Sequence, residues 1–464
     1  MNKKETKIIL KRIEKWYDRL PSLFVQNSQV LSAEFGWSKD PTPFSERLDL
    51  DYKPIIEGDP WGKKWESAWF HLKGQIPENW AGKSIVAELD FSGEGLVFDS
   101  DGRALQGITN GSIWDPNFAR TRVALIESCA GGEQIDLWVE AAANSLFGVF
   151  IDTDPPRENP DRHGWFDAKV EKMRIGIFDK DTWHLYLDVR ILLGLIKRLD
   201  ENSVRRSRAI LSLHNCINTF GDDQKKAKEA RKCLKGDLEK PASASDLKVT
   251  AIGHAHIDTG WLWPVRETVR KCARTFANQL KIIDQYPDYI FGASQPQHYQ
   301  FIKDNYPEIY ERIQNAVRSG QWELQGGMWV EADCNLISGE SMVRQLLHGK
   351  NFFMDEFGID VDNLWLPDVF GYSAALPQIL KKSGINYFLT QKLSWNQFNE
   401  FPHHTFKWRG IDGTEILTHF PPENTYNSEL DTEFLIPAQN HFKEKDRINE
   451  FISLFGVGDG GGGP

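Results

Sequence analysis

A chain of 464 residues is too long for one ordinary hydrophobic core, so two or three domains are expected. Charged residues at 26% and apolar residues at 40% give the balance of a soluble globular protein, and a net charge of −11 argues against non-specific nucleic-acid binding, which needs clustered positive charge. No apolar run approaches the length of a membrane span, and five cysteines without CxxC spacing indicate neither a disulfide framework nor a Cys-type zinc site.

The first twenty residues, MNKKETKIILKRIEKWYDRL, place apolar residues at helical spacing and lack the uninterrupted apolar core of a signal peptide. A cytoplasmic protein with buried or incidental thiols is expected, and residues 1–45 read as an N-terminal helical arm. Residues 46–180 change to short alternating strands broken by Gly, Asp and Asn: SAWFHLKGQI, SIVAELDFSG, EGLVFDSDG, QIDLWVEAA and KMRIGIFD. That pattern predicts a β-sandwich of jelly-roll type, read as a brace for its neighbour. Residues 181–246 form a helical connector, in which Leu185, Val189, Leu192, Leu193, Ile196 and Leu199 make one apolar stripe, followed by the linker PASASD.

From residue 247 to 464 strand and helix alternate. Seven strands are predicted, Val249 to Gly253, Tyr289 to Ala293, Trp322 to Gln325, Asn363 to Leu366, Asn386 to Thr390, Glu415 to His419 and Phe451 to Phe455. Helices fall between most of them, at Val265 to Tyr286, Gln297 to Arg318, Gly339 to Phe357 and Ala374 to Lys382. Such succession implies βαβ units and a parallel sheet, doubly wound or closed. The expected class is α/β, with a distorted seven-stranded β/α barrel-like catalytic domain preceded by the sandwich and the connector.

In such folds chemistry sits at the carboxyl ends of the strands. The stretch KVTAIGHAHIDTGWLWP ends the first strand and sets His254, His256 and Asp258 at i, i+2 and i+4, on one face of an extended run. Later strand ends carry Ser294 and Gln295, then Glu331 and Asp333, then Asp368 and Phe370, then Gln391 and Lys392, then His419, and finally Asp459 within GVGDGGGGP. Imidazole and carboxylates on adjacent strand ends suit Zn²⁺, with His256, Asp258 and Asp368 as first ligands, His254 either supporting them from behind or packing inward, and His419 structural or peripheral.

The motifs GHAHIDTGWLWP, GGMWVEADCNLISGESMVRQL, WLPDVFGYSAALPQIL and FGVGDGGGGP together resemble the class II α-mannosidases of glycoside hydrolase family 38, and the β-rich part resembles the extra domain of its cytosolic branch. The resemblance implies a retaining glycosidase that removes terminal α-mannosides from oligosaccharides through a covalent mannosyl-enzyme. It implies Asp368 as nucleophile and zinc ligand, His256 and Asp258 as further ligands, and Asp459 as acid/base. Trp261, Phe370 and Asp333 would meet the substrate. Zinc is the implied cofactor, with cobalt an alternative. An α-mannoside is the implied partner, without nucleic acid or membrane, and a homo-oligomer is compatible with the sequence. The family's fourth ligand, a His, lies beyond this point in its members, so a C-terminally incomplete catalytic domain with weak zinc binding and little activity is expected. Two other readings remain: a non-catalytic mannose-binding fragment, and a metal-dependent amidohydrolase or deacetylase, which would need further strand-end histidines.

Overall fold

The computed structural model describes residues 3–111, 118–144, 168–243 and 245–464. Ala244 of the expected linker lies outside the described residues. The β-rich part is a sandwich of a four-stranded and a six-stranded sheet, with all pairings antiparallel. Alternation along each strand explains its two faces. In Ser67–Gln75, Phe70 and Leu72 enter the sandwich core with Val97, Val139, Leu89 and Ile175. Trp69 turns outward with Leu96, Phe98 and Trp138, and these pack on the next domain.

Residues 25–38 are two strands of this sandwich, Val25–Val30 and Ser32–Ser38, within the stretch read from sequence as a helical arm. VQNSQV is a largely exposed edge with no apolar alternation, which is why its sequence does not announce a strand. The helix Lys3–Tyr17 does not stand apart either. Its Ile13 and Trp16 join Leu185, Val189, Leu213 and Phe220 in one core with the connector helices Lys180–Arg198, Val204–Phe220 and Ala227–Leu238.

The C-terminal domain departs from the expected seven-stranded barrel. Among the described residues its eight strands form two four-stranded sheets, and no backbone ladder closes them into one ring. One sheet is fully parallel and centred on Lys248–His254, which pairs with Phe291–Ala293 on one side and Glu450–Phe455 on the other. The second contains Asn363–Trp365, Tyr387–Leu389 and Glu415–His419, plus an antiparallel edge, Thr405–Arg409, that sequence periodicity missed. Side chains bridge the seams: Gly326 N–H donates to Asn363 Oδ1 (3.1 Å), and Ile452 N–H to His419 Nε2 (3.3 Å). Trp365, Leu389, Leu454 and Tyr426 fill the space between the sheets. The single helix expected over Gln297 to Arg318 is two, Pro296–Asn305 and Pro307–Ser319, because Pro307 lacks the N–H that would continue the first.

Helix Val265–Gln285 joins the two domains. Cys272, Ala273, Phe276 and Leu280 face an apolar core, while Glu267, Arg270, Lys271 and Arg274 are buried against the sandwich. Lys271 Nζ and Arg274 Nη1 lie 2.7 and 3.0 Å from Glu94 Oε2, and Arg270 pairs with both Glu140 and Glu267. Burial alone would raise the Glu267 pKa, but Arg270 and Arg274 outweigh it and hold it below 4.5. Between the folded and unfolded values the unfolded chain binds more protons, so this carboxylate stabilises the fold above about pH 4.5 and ceases to do so as pH falls through its folded value. Denaturation followed in steps below pH 4.5 should therefore show falling stability, and Glu267→Gln should flatten that dependence.

Candidate active site

The site is assembled at the carboxyl end of the central strand. After His254 the chain leaves the sheet, and Ile257 pairs with Gly460 in an isolated antiparallel bridge while Asp258 N–H donates to Asp459 O (2.9 Å). The glycine-rich loop is thus laid along the HxHxD stretch. Asp459 takes a left-handed backbone, φ 59°, which turns its carboxylate into the site.

His256, Asp368 and Asp459 each present one donor atom, all within 4.8 Å of one another. Asp258 Oδ1 lies 3.4 Å and Asp368 Oδ2 3.8 Å from His256 Nε2. On the other side of the ring, Nδ1 is 2.7 Å from Glu331 Oε2, and Glu331 Oε1 accepts from Ser294 Oγ (2.5 Å). Glu331 therefore orients the imidazole so that Nε2 faces the carboxylates. Burial opposes charging of His256, yet the nearby Glu331 and Asp258 raise its pKa well above the ordinary imidazole value. A buried imidazole whose Nε2 faces the oxygens of Asp258 and Asp368 is a donor set that fits Zn²⁺.

Gln295 fixes this wall. Its backbone is left-handed, φ 65°; its Nε2 donates to Ile257 O (2.9 Å), and its Oε1 accepts from Thr259 Oγ1 (3.1 Å) and Glu331 N–H (3.2 Å). On the opposite wall Lys392 Nζ donates to Asp368 Oδ1, setting a positive charge against that carboxylate. Tyr426 Oη donates to Asp459 Oδ1 (2.6 Å), and burial followed by the two carboxylates keeps its phenol protonated. Asp459 is itself pushed up, chiefly by burial and further by Asp368 and Asp258, against the lowering pull of His256 and Tyr426.

Residues 246–464 match the glycosyl hydrolases family 38 N-terminal domain, and residues 28–171 match the α-mannosidase jelly roll domain. The chain is 38% identical over 474 residues to alpha-mannosidase G of Dictyostelium discoideum, covering 99% of this chain and 43% of that protein. It is 38% identical over 425 residues to alpha-mannosidase 2C1 of Homo sapiens, covering 91% of this chain and 40% of that protein. The chain belongs to glycosyl hydrolase family 38. It spans about two-fifths of the length of these curated relatives. Among solved structures, an α-mannosidase from Enterococcus faecalis V583 aligns with 47% of this chain and 26% of its own, at 21% identity and a TM-score of 0.40.

The expected site residues fall in three groups in this family 38 chain. His256, Asp258, Asp368 and Asp459 converge. Trp261, half-exposed and edge-on to Trp263 (6.0 Å), and the exposed Phe370 stand at the surface. Asp333 is exposed, and its Oδ1 accepts from the N–H groups of Asn335 (2.9 Å) and Leu336 (2.7 Å) in a local turn; no contact joins it to the cluster among the described residues. His254 packs inward beside Trp365, its pKa lowered to about 3 by burial and by His256. His419 holds a strand seam through Thr405 Oγ1 (2.8 Å) and Ile452 N–H. Sequence reasoning placed Glu331, Gln295 and Lys392 at strand ends without roles, and missed Tyr426 entirely. Tyr426 lies in the loop PPENTYNS, where no periodicity marks it.

The glycine loop carries a separate expectation. Gly461 has φ 79°, and a Cβ there would lie 2.4 Å from Thr275 Oγ1 and 3.1 Å from Ile257. Gly461→Ala should therefore cost about 1–3 kcal/mol of local strain and pull Asp459 away from Tyr426. A thermal melt together with any hydrolytic assay would check this, and wild-type values in both would show that the loop tolerates the methyl.

Proposed function

We propose that this chain carries the catalytic domain of a cytoplasmic, zinc-dependent, retaining α-mannosidase that releases terminal α-mannose from oligosaccharides. The observation that carries the reading is the pair Asp368 and Asp459, each of which brings one carboxylate oxygen within 4.8 Å of the other's and of a ring nitrogen of His256. Retaining glycosidases hold their two carboxyl groups at about 5–5.5 Å, whereas inverting ones need roughly 6.5–9.5 Å to admit a water. The free state of the five cysteines fits a reducing compartment, and no helix among the described residues is long and apolar enough to cross a membrane.

His256, Asp258 and Asp368 would hold the zinc, which when bound supplies Lewis-acid attraction to sugar hydroxyls. Asp368, with Lys392 at its Oδ1, presents the oxygen that bonds to the anomeric carbon as the glycosidic C–O bond breaks. Asp459, whose burial favours its protonated form, gives its proton to the departing oxygen. It then takes a proton from the water that displaces the Asp368 ester. Tyr426 keeps Asp459 aimed through its 2.6 Å hydrogen bond. Trp261 at the mouth supplies an apolar face for the sugar. The deacetylase reading needs further histidine ligands, and His419 is engaged at the strand seam instead.

The metal assignment is tested by loading the chain with Co²⁺. A visible absorption band should appear, weaken in Asp258→Ala and vanish in His256→Ala; a spectrum indifferent to His256 would refute this ligand set. The reaction class is tested with an aryl α-mannoside in zinc-containing buffer, before and after chelation. Release of the aryl alcohol that stops on chelation is the expected result.

A further inference from the structure

The strand Tyr387–Leu389 runs through Gln391 into a short turn, Lys392–Trp395, that forms the outer wall of the site. Lys392 links two regions here. Its ammonium touches Asp368, and it also lies 3.6 Å from the ring centre of Trp395 and 4.9 Å from that of Phe370. Phe370, Lys392, Leu393, Trp395 and Asn396 line a cavity of about 420 Å³. Its two aromatic rings are open to solvent, Phe370 at 73% and Trp395 at 67% exposure, whereas His256 and the Asp368 side chain are 4% and 14% exposed. This cavity lies on the solvent side of the reacting centre and meets it at Lys392 and at Phe370, two residues beyond Asp368.

We propose that the cavity holds the second sugar ring of the substrate, on the leaving-group side of the scissile bond, with Trp395 as its stacking platform. This rests on the mannosidase reading and extends it: the substrate is an α-linked di- or oligosaccharide whose penultimate ring is recognised. A hexose has apolar C–H faces and a rim of hydroxyls, so its complement is an aromatic face flanked by amides and charges. Trp395 supplies the face, and Asn396 and Lys392 supply the flank. The Lys392 ammonium lies over the indole and fixes its orientation. Lys392 covers part of one face of the indole, and Trp395 is still largely exposed, which leaves ring surface for a sugar. An enzyme that removes a terminal sugar seats that sugar at Asp368, so whatever lies outward on Trp395 belongs to the departing portion. A neighbouring polar cavity of about 210 Å³ shares Leu393 and Asn396 and adds Gln391, Asn399, Glu400 and His403.

The test is calorimetric titration of the zinc-loaded chain with mannose and with a thio-linked α-mannobiose that resists hydrolysis. The disaccharide should bind about tenfold more tightly than mannose, a difference within reach of one buried aromatic contact. Trp395→Ala should bring the ratio of the two affinities close to one, and Trp395→Phe should restore part of it. Because Trp395 is exposed, a thermal melt of each variant should match the parent chain. A ratio near one in the unsubstituted chain, or a ratio unmoved by Trp395→Ala, would overturn the proposal while leaving mannose binding, and so the mannosidase reading, standing. Binding of neither sugar would overturn both.

Discussion

Asp368→Asn should abolish the aryl α-mannoside hydrolysis of the unsubstituted chain, small as that is expected to be, as removal of a nucleophile from a preorganised site does. The amide occupies nearly the same volume, so the wall formed with Lys392 is preserved while the attacking oxygen and its charge are lost. Two further readouts separate lost chemistry from lost structure. The thermal midpoint should move little, and a fluorinated mannosyl reagent should label the peptide containing Asp368 in the parent chain and leave the variant unlabelled. A variant retaining a tenth of the parent rate would place the nucleophile elsewhere. Asp459→Asn should behave differently, losing most on substrates with poor leaving groups and least on activated aryl mannosides, because its proton serves the departing oxygen.

The largest stability effect is expected at Arg270, far from this chemistry. Its Nη1 donates to Ser67 Oγ (3.0 Å) and to both oxygens of Glu267 (3.0 and 3.1 Å); its Nη2 donates to Ala141 O (2.9 Å) and pairs with Glu140. Arg270, Glu267 and Glu140 are all buried. Arg270→Met keeps much of the stem but leaves two carboxylates without their shared cation, a change that costs about 3–5 kcal/mol when a buried pair is broken. Chemical denaturation should show that loss. Combining it with Glu140→Gln should cost less than the sum of the single changes, since one stranded charge is then removed. Additive effects would mean that the two side chains are not coupled. Because Glu140 belongs to the sandwich and Arg270 to the helix that follows the HxHxD stretch, the same network couples the jelly roll to the first helix of the C-terminal domain.

Much of this architecture is legible in the chain because it depends on short-range periodicity. The strands QIDLWVEAA and KMRIGIFD alternate, the helix Gly339–Phe357 has a Ser338 cap, and each parallel strand is a short apolar run between turn residues. Where that signal fails the reasons are local. VQNSQV is a polar edge, Pro307 divides an otherwise continuous helical pattern, and TFKWR has no partner visible from sequence until GIDGT turns it back on Glu415–His419. The distorted barrel-like arrangement was inferred from strand count, but how far the strands close depends on which edges meet, and here the two sheets meet through Asn363 and His419 side chains.

The sequence by itself determined the ingredients of the site: a His and an Asp at alternating positions of one extended run, an Asp after an apolar strand, and an Asp in a glycine loop. Their spacing and the preference of each residue type for a strand end are properties of a few consecutive residues. Only the tertiary structure decided how they meet. Glu331 turns Nε2 of His256 inward, Gln295 ties the two loops, Lys392 reaches Asp368 from the next strand, and Tyr426 reaches Asp459 from a loop without pattern. These contacts join segments far apart in the chain, and they form because strand ends converge while the left-handed turns at Gln295 and Asp459 aim side chains inward. Convergence of that kind is set by packing between elements, which no local pattern encodes.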